Sequence, residues 1–223
     1  MSPLPDEALA REVIATALAM EDRGINNGMS GNVSVRVGEA DAWSMLITPS
    51  SVPYDQLQPD QLVLMQPDGQ WKADKGLRPS SEWQFHLDIL RARDDVGAVV
   101  HAHPINATAL ACHGRPIEAF HYMVGVAGGT DIRCADYATF GSPELSTNVV
   151  QALDGRKACL MSNHGLVAVG PTARAALDLA VEVEVLASQY LAALAIGEPR
   201  LLSESQMDEV LDKMSQGAGY GSS

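Results

Sequence analysis

The chain lacks most of what a secreted, nucleic-acid-binding or membrane protein relies on. Its 223 residues include three cysteines, Cys112, Cys134 and Cys159. An odd number without CxxC spacing excludes a disulfide framework and a cysteine-based zinc module, and it fits a reducing cytoplasm. Basic residues are scarce, 15 against 28 acids, for a formal net charge of −13, and they form no run. That excludes nucleic acid, whose backbone binds through Lys and Arg that neutralise phosphates and release counterions. Any anionic ligand must be small and held locally. The leading MSPLPDEALAREV has acids where an export signal needs a basic and then an apolar stretch, so no export is expected. The longest stretch without Asp, Glu, Lys or Arg, Val96 to Gly114, holds His101, His103, Pro104, Asn106 and His113. It is too polar to span a bilayer, and no membrane partner is expected.

What is present is a globular composition, 46% hydrophobic and 19% charged. A chain of this length can bury roughly 70% of its unfolded surface without staples. Helical and extended patterns alternate with no repeat and no dividing linker, which predicts a single α/β domain over residues 1–223 with a mobile tail from about residue 215. Apolar positions Leu9, Val13, Ile14, Leu18 and Met20 mark a first helix, from about Pro5 to Glu21. NVSVRV and WSMLITP flank a GEADA turn, and QLVLMQPDGQW carries a Pro-Asp-Gly turn, so consecutive antiparallel hairpins follow. Ser81-Glu82-Trp83-Gln84 has the form of a capping box and opens a helix to Arg93. A buried strand is predicted over Val96–Val100 and ends near His103, with Pro104 in the first turn of the next helix. Helices from Ser142-Pro143 to Leu153, from Thr172 to Ile196 and from Ser203 to Met214 complete the pattern, with strands ACLMS and GLVAVG around Asn163-His164.

His101-Ala102-His103 is the sharpest chemical feature. Residues two apart on a strand face one side, so two imidazoles can reach one ion, and a third ligand must come from elsewhere. His164, in a Ser-Asn-His-Gly turn, is the candidate; hydrogen-bonded histidines at a strand end are the competing reading. His86 shares a helix face with Glu82 and, like His113 and His121, is read as structural. Ser80 and Ser81 at a helix N-terminus offer hydroxyls and free N–H groups to an anion without any lysine. Gly28-Met29-Ser30-Gly31-Asn32 offers a second cluster of loop N–H groups, though an ordinary turn has the same pattern.

The stretches GMSGNVSVR, LITPSSVPYDQL, RPSSEWQFH, VVHAHP, FHYMVGVAGGTDI, YATFGSPEL, SNHGLVAVG and VEVEVLASQYLAAL occur in that order over about Gly24 to Leu194. In them the chain resembles the class II aldolase/adducin family. The resemblance implies a central, mainly antiparallel β-sheet flanked by helices, and one Zn2+ per subunit held by His101, His103 and His164. Glu82 would take the fourth position at rest and swing off as a base. It implies a phosphate held at Asn32, Ser50, Ser51, Ser80 and Ser81, and Tyr122, Phe140 and the tail residue Tyr220 beside the aldehyde half. The implied assembly is a homotetramer with the site at a subunit boundary. The implied reaction is zinc-dependent cleavage of a small phosphorylated sugar, L-fuculose 1-phosphate or a related 5-deoxy or methylthio pentulose 1-phosphate. Ser51 stands where the family commonly has glycine, a side chain expected to narrow or reorient the pocket, and the tail around Tyr220 matches loosely. Epimerase, dehydratase and decarboxylase relatives share such sites, adducin-type members are non-catalytic interaction proteins, and a zinc hydrolase is a further rival.

Overall fold

The computed structural model describes residues 7–38, 42–73 and 76–216. Its elements run α1 (Glu7–Asp22), β1 (Asn32–Val37), β2 (Ser44–Ile47), β3 (Val63–Met65), β4 (Trp71–Lys72), α2 (Trp83–Ala92), β5 (Ala98–Ala102), α3 (Ile105–Ala111), β6 (Cys134–Ala135), α4 (Pro143–Ala152), β7 (Ala158–Met161), β8 (Gly165–Gly170), α5 (Ala173–Ile196) and α6 (Glu204–Ser215). The strands form one eight-stranded sheet, β4-β3-β2-β1-β5-β8-β7-β6. Every pairing is antiparallel except β6 with β7. The fold is therefore the expected single α/β domain, a central, mainly antiparallel sheet flanked by helices.

Side-chain alternation sorts the core onto two faces. Ala98, Val100 and Ala102 of β5 pack with α1, α3 and α5, whereas Val99 joins Phe85 of α2 and Leu145 of α4 on the other side. His101, two residues after Val99, shares that second face. Strands β5 and β8 are buried on both faces, which explains the unbroken apolar reading of LVAV. Helix α5 has the length and apolar character of a membrane span. It lies against the sheet instead, burying Ala176, Ala180, Val183 and Ala187 in the larger core.

Local signals set most boundaries. Ser142 caps α4 by accepting from Leu145 N at 3.1 Å, Thr172 caps α5 from Ala175 N at 3.1 Å, and Ser203 forms a capping box with Gln206. The capping box expected at Ser81 does not form. The N-cap of α2 is Glu82, with no side-chain cap, and its own N–H donates to Ser80 Oγ at 3.3 Å. The reason lies in Glu82: its carboxylate is drawn to the histidines, and Ser81 stays exposed. Two further corrections are small: β5 runs from Ala98 to Ala102 and so includes His101, and Pro104 precedes α3 as its N-cap. The 3-10 segment Tyr122–Ala127 and the two-residue β6 carried no sequence signal. Helix α6 extends through Ser215, and the rest of the expected tail, Tyr220 included, lies outside the described residues.

The turn after His103 is held from α5. Glu184 accepts from the Asn106 backbone at 3.0 Å, the Asn106 side chain at 2.7 Å and the Ala107 backbone at 2.8 Å, satisfying the free N–H groups that open α3. Replacing Glu184 by Ala leaves those donors unpaired and is expected to cost about 1–3 kcal/mol, read as a lower urea midpoint. An unchanged midpoint would show that water replaces the carboxylate without loss.

Candidate metal centre and adjoining anion cradle

Four side chains from three places meet on the α2 face of the sheet. His101 lies at the end of β5, His103 follows it, His164 sits in the turn between β7 and β8, and Glu82 caps α2. Their ligand atoms all lie within 4.8 Å of one another. Glu82 Oε2 is 3.1 Å from His101 Nε2, and Glu82 Oε1 is 3.1 Å from His164 Nε2. The His101 and His103 ring centroids are 4.6 Å apart and nearly perpendicular, and those of His103 and His164 are 5.1 Å apart.

Backbone geometry brings the rings in. Asn163, just before His164, adopts a left-handed φ of 55° that turns the chain sharply. Gly165 follows, where an added Cβ would lie 2.5 Å from the Ala102 carbonyl oxygen and 2.7 Å from His103 Cδ2. Only glycine lets β8 pass so close to the His103 ring. His101 Nδ1 donates to the Leu166 carbonyl at 2.8 Å, which fixes the tautomer and leaves Nε2 as a ligand atom.

These atoms fit a divalent metal. Glu82 Oε1, His101 Nε2 and His103 Nε2 are buried with no hydrogen-bond partner, although Glu82 lies close to two of the rings. Close approach without hydrogen-bond direction is what donors aimed at a shared central ion produce. The electrostatics agree. Burial works to raise the Glu82 carboxyl, but His101 first and then His164 outweigh it and hold the group well below the usual carboxylate range. Burial works to lower His101, yet Glu82 raises it overall. Burial, reinforced by charge on His101 and His164, pushes His103 down to about 3. The pocket thus needs positive charge beside Glu82, supplied by a proton on His101 or by a metal.

Beside the cluster lies a cavity of about 340 Å³ lined by Asn32, Ser50, Ser51, Ser80, Ser81 and Glu82, together with residues 27 and 29–31. All the sequence-selected phosphate candidates therefore share one cavity with Glu82. Its two walls are stitched by backbone bonds, Ser50 N to Arg78 O at 2.9 Å and Ser80 N to Thr48 O at 3.1 Å, around a Pro49–Pro79 bridge. Tyr54 donates its hydroxyl to the Gly31 carbonyl and anchors the remaining loop, and burial raises its phenol above the ordinary value. Ser51 has a φ of 63°, the left-handed backbone that favours glycine. Its Oγ turns to Ser50 Oγ at 3.3 Å, adding a hydroxyl to the cradle. Among the described residues the lining contains no Lys or Arg, so the cradle they form offers neutral donors.

Tyr122 and Phe140 stand apart, 52% and 65% exposed, and neither touches the cluster among the described residues. Phe140 is tied to the cavity through Gly141, whose added Cβ would lie 2.7 Å from the Ser81 carbonyl oxygen. Tyr122 opens the 3-10 segment that α6 covers, with Val210 and Met214 against Gly125. Sequence reasoning missed the contribution of His86. It is fully buried, with Nδ1 2.7 Å from Ser34 Oγ and Nε2 against Asn32 Oδ1. The available signal was Asn32 and Ser34 two apart on a strand, facing Glu82 and His86 four apart on a helix.

Gly165→Ala is expected to displace the His103 ring and weaken metal retention at least about tenfold, read as bound metal per chain after dialysis. Full retention would show that the ring has room to shift. Burial also pushes His86 down to about 3, against roughly 6.5 when unfolded. The unfolded state then binds more protons between these values, so this contribution is complete above about pH 6.5 and is lost as pH falls toward 3. Between about pH 4 and 6 the stability slope of the metal-free protein should be shallower in His86→Gln, by about 1.4 kcal/mol per pH unit. Equal slopes would mean that His86 titrates normally in the fold.

The class II aldolase and adducin N-terminal domain family model matches residues 11–191. The 5-methylthioribulose-1-phosphate/5-deoxyribulose-1-phosphate aldolase of Rhodospirillum rubrum is 50% identical over 206 residues, covering 92% of this chain and 90% of that protein. The L-fuculose phosphate aldolase of Escherichia coli K12 is 47% identical, covering 92% of this chain and 93% of that protein. A solved L-fuculose 1-phosphate aldolase has a TM-score of 0.90 at 35% identity, covering 96% of this chain and all of that one. With a family match across most of its length and relatives near half identity, the chain belongs to the class II aldolase and adducin N-terminal domain family.

Proposed function

We propose that the chain is a zinc-dependent aldolase that reversibly cleaves a ketose 1-phosphate to dihydroxyacetone phosphate and an aldehyde. The observation that carries this reading is that Glu82 belongs to both halves of the site, the histidine cluster and the hydroxyl-lined cavity. A base placed between a metal centre and a phosphate cradle can act on a carbon next to both. The substrate class, L-fuculose 1-phosphate or a 5-deoxy or methylthio pentulose 1-phosphate, is supported by the names of the relatives. Three imidazole nitrogens and one carboxylate oxygen suit zinc, with Glu82 as the exchangeable fourth ligand.

His101, His103 and His164 would hold the zinc, which when bound would supply a Lewis acid for the charge left on the dihydroxyacetone half as the C3–C4 bond breaks. The neutral donors of Asn32, Ser50, Ser51, Ser80 and Ser81 bind the phosphate, as a strongly acidic chain requires. Glu82 gives a proton to the dihydroxyacetone phosphate carbon in cleavage and takes it back in condensation. Tyr122 or Tyr220 takes the proton of the C4 hydroxyl, and Phe140 borders the aldehyde. The exposure of Tyr122 and Phe140 in a single chain supports a homotetramer in which they complete a site at the subunit boundary. Among the described residues no lysine lines the cavity, which gives an imine route no support. The enzyme would act in a reducing cytoplasm.

The test is release of dihydroxyacetone phosphate, followed with a coupled reductase, from L-fuculose, 5-deoxyribulose and methylthioribulose 1-phosphates on metal-stripped protein. Added zinc should restore release from at least one of them. Glu82→Gln should keep its zinc and lose about a hundredfold or more in turnover. Zinc binding without triose phosphate from any of the three would overturn the aldolase reading and favour epimerase, dehydratase or decarboxylase chemistry.

A further inference from the structure

The two oxygens of Glu82 meet different surroundings. Oε1 faces His164 and has no hydrogen-bond partner, whereas Oε2 accepts from Asn32 Nδ2 at 3.1 Å. The other end of the Asn32 amide, Oδ1, meets His86 Nε2 in a short contact, and His86 Nδ1 lies 2.7 Å from Ser34 Oγ. Glu82, Asn32, His86 and Ser34 thus form one file of hydrogen bonds between α2 and β1. The spacing explains it: residues two apart on a strand and four apart on a helix both project from one face at similar separations. The two pairs therefore meet rung by rung.

The carboxylate sets the polarity of the whole file. It only accepts, so Asn32 must turn its NH2 toward it and its carbonyl oxygen toward His86. That oxygen also only accepts, so His86 must carry its proton on Nε2. Nδ1 then holds the lone pair, and the Ser34 hydroxyl donates to it. A flipped Asn32 amide has nearly the same shape but would set its carbonyl oxygen against the carboxylate. The carboxylate rejects that flip, and His86, by donating to the amide oxygen, holds the accepted orientation in place. The ring is fully buried and stacked on Phe85 at 4.6 Å, so neither water nor rotation competes.

We propose that His86 is a positioning residue for the aldol reaction. Through Asn32 it fixes the direction of the Glu82 carboxylate, and it fixes the amide that Asn32 presents to the cavity, while Ser34 locks the ring. The role rests on the reading of Glu82 as proton carrier and Asn32 as a cradle residue. Without the file, the Glu82 carboxylate is free to rotate and the Asn32 amide to swing away from the cavity, which should lower kcat and raise KM together. A ring needed only for packing would lose stability on replacement without moving the turnover of each zinc-loaded chain.

The experiment uses the zinc-loaded full chain, with His86→Leu, His86→Gln and Ser34→Ala beside the parent. Nitrogen-15 histidine NMR near neutral pH reads the tautomer, with the His86 signals identified by their loss in His86→Gln. Kinetics per bound zinc read the role. The expected results are a neutral Nε2–H ring in the parent and an Nδ1 signal moved by Ser34→Ala. His86→Leu should keep one zinc per chain with kcat down about tenfold or more, and His86→Gln, whose amide can still donate to Asn32, should recover most of it. An Nδ1–H tautomer would overturn the proposal, as would a Leu variant within twofold of the parent in both kcat and KM. If the Leu variant does not fold, the tautomer and the Ser34→Ala kinetics decide, with parent-like constants in Ser34→Ala counting against the proposal. A parent that shows the Nε2–H tautomer but cleaves no ketose 1-phosphate would overturn the aldolase reading instead, and with it the catalytic meaning of the file.

Discussion

A carboxylate and three imidazoles packed into one largely buried pocket need a positive charge among them, because burial strips most of the water from the anion and the inward-facing lone pairs. Much of the surrounding structure serves that requirement. The register that sets Asn32 opposite His101 and His101 opposite Val167 places the first imidazole in the middle of the sheet. Strand alternation sends His103 to the same face, and the turn at Asn163 brings His164 back over both. Helix α2 starts where its first carboxylate can close the set. Glu82 raises the basicity of His101 against the effect of burial, which is in keeping with that demand.

The cradle follows the same economy of charge. A protein with net charge −13 has little cationic side chain to place beside an anion, and among the described residues the cavity contains none. Hydroxyls, an amide and backbone N–H groups do the work instead. The hydroxyls sit on two short segments, 48–51 and 78–81, that pair across Pro49 and Pro79, and the Asn32 amide reaches in from β1. Because the second segment runs straight into Glu82, the anion site and the metal site share one rigid junction. A substrate held there by its phosphate would have the distance from its reacting carbons to the carboxylate fixed. A fold by itself does not name a reaction, so the reading of this one rests on the site.

Elements with a strong local signal were legible in the sequence. The first hairpins, the helices capped by Ser142, Thr172 and Ser203, and the buried reading of β8 all follow from periodicity and turn chemistry. The His101/His103 pair was legible from strand spacing and His164 as a candidate third ligand from its Ser-Asn-His-Gly turn, but the joining of Glu82 to them rested on the family resemblance, since spacing cannot report a contact across the sheet. The box at Ser81 was misread because the pattern Ser-x-x-Gln says nothing of a stronger electrostatic claim on the residue between. His86 was read as structural for a related reason: a helix face can be read from spacing, but the strand residues that meet it cannot. Ser51 was legible as a departure from glycine, and its left-handed backbone gives the physical reason for the usual glycine. Tyr122 and Phe140 have no partner within the cluster, because a single chain holds only part of what surrounds the substrate if subunits share the site.

X-ray absorption at the zinc edge of the fully loaded protein tests the central claim most directly, because multiple scattering from imidazole rings counts histidine ligands without reference to activity. The account predicts three imidazoles near 2.0–2.1 Å, with the remaining scattering from oxygen and none from sulfur at about 2.3 Å. Replacing His103 by Ala should remove one ring from that count. Fewer than three imidazoles in the parent, or a sulfur ligand, would contradict the assignment of the cluster as the metal centre.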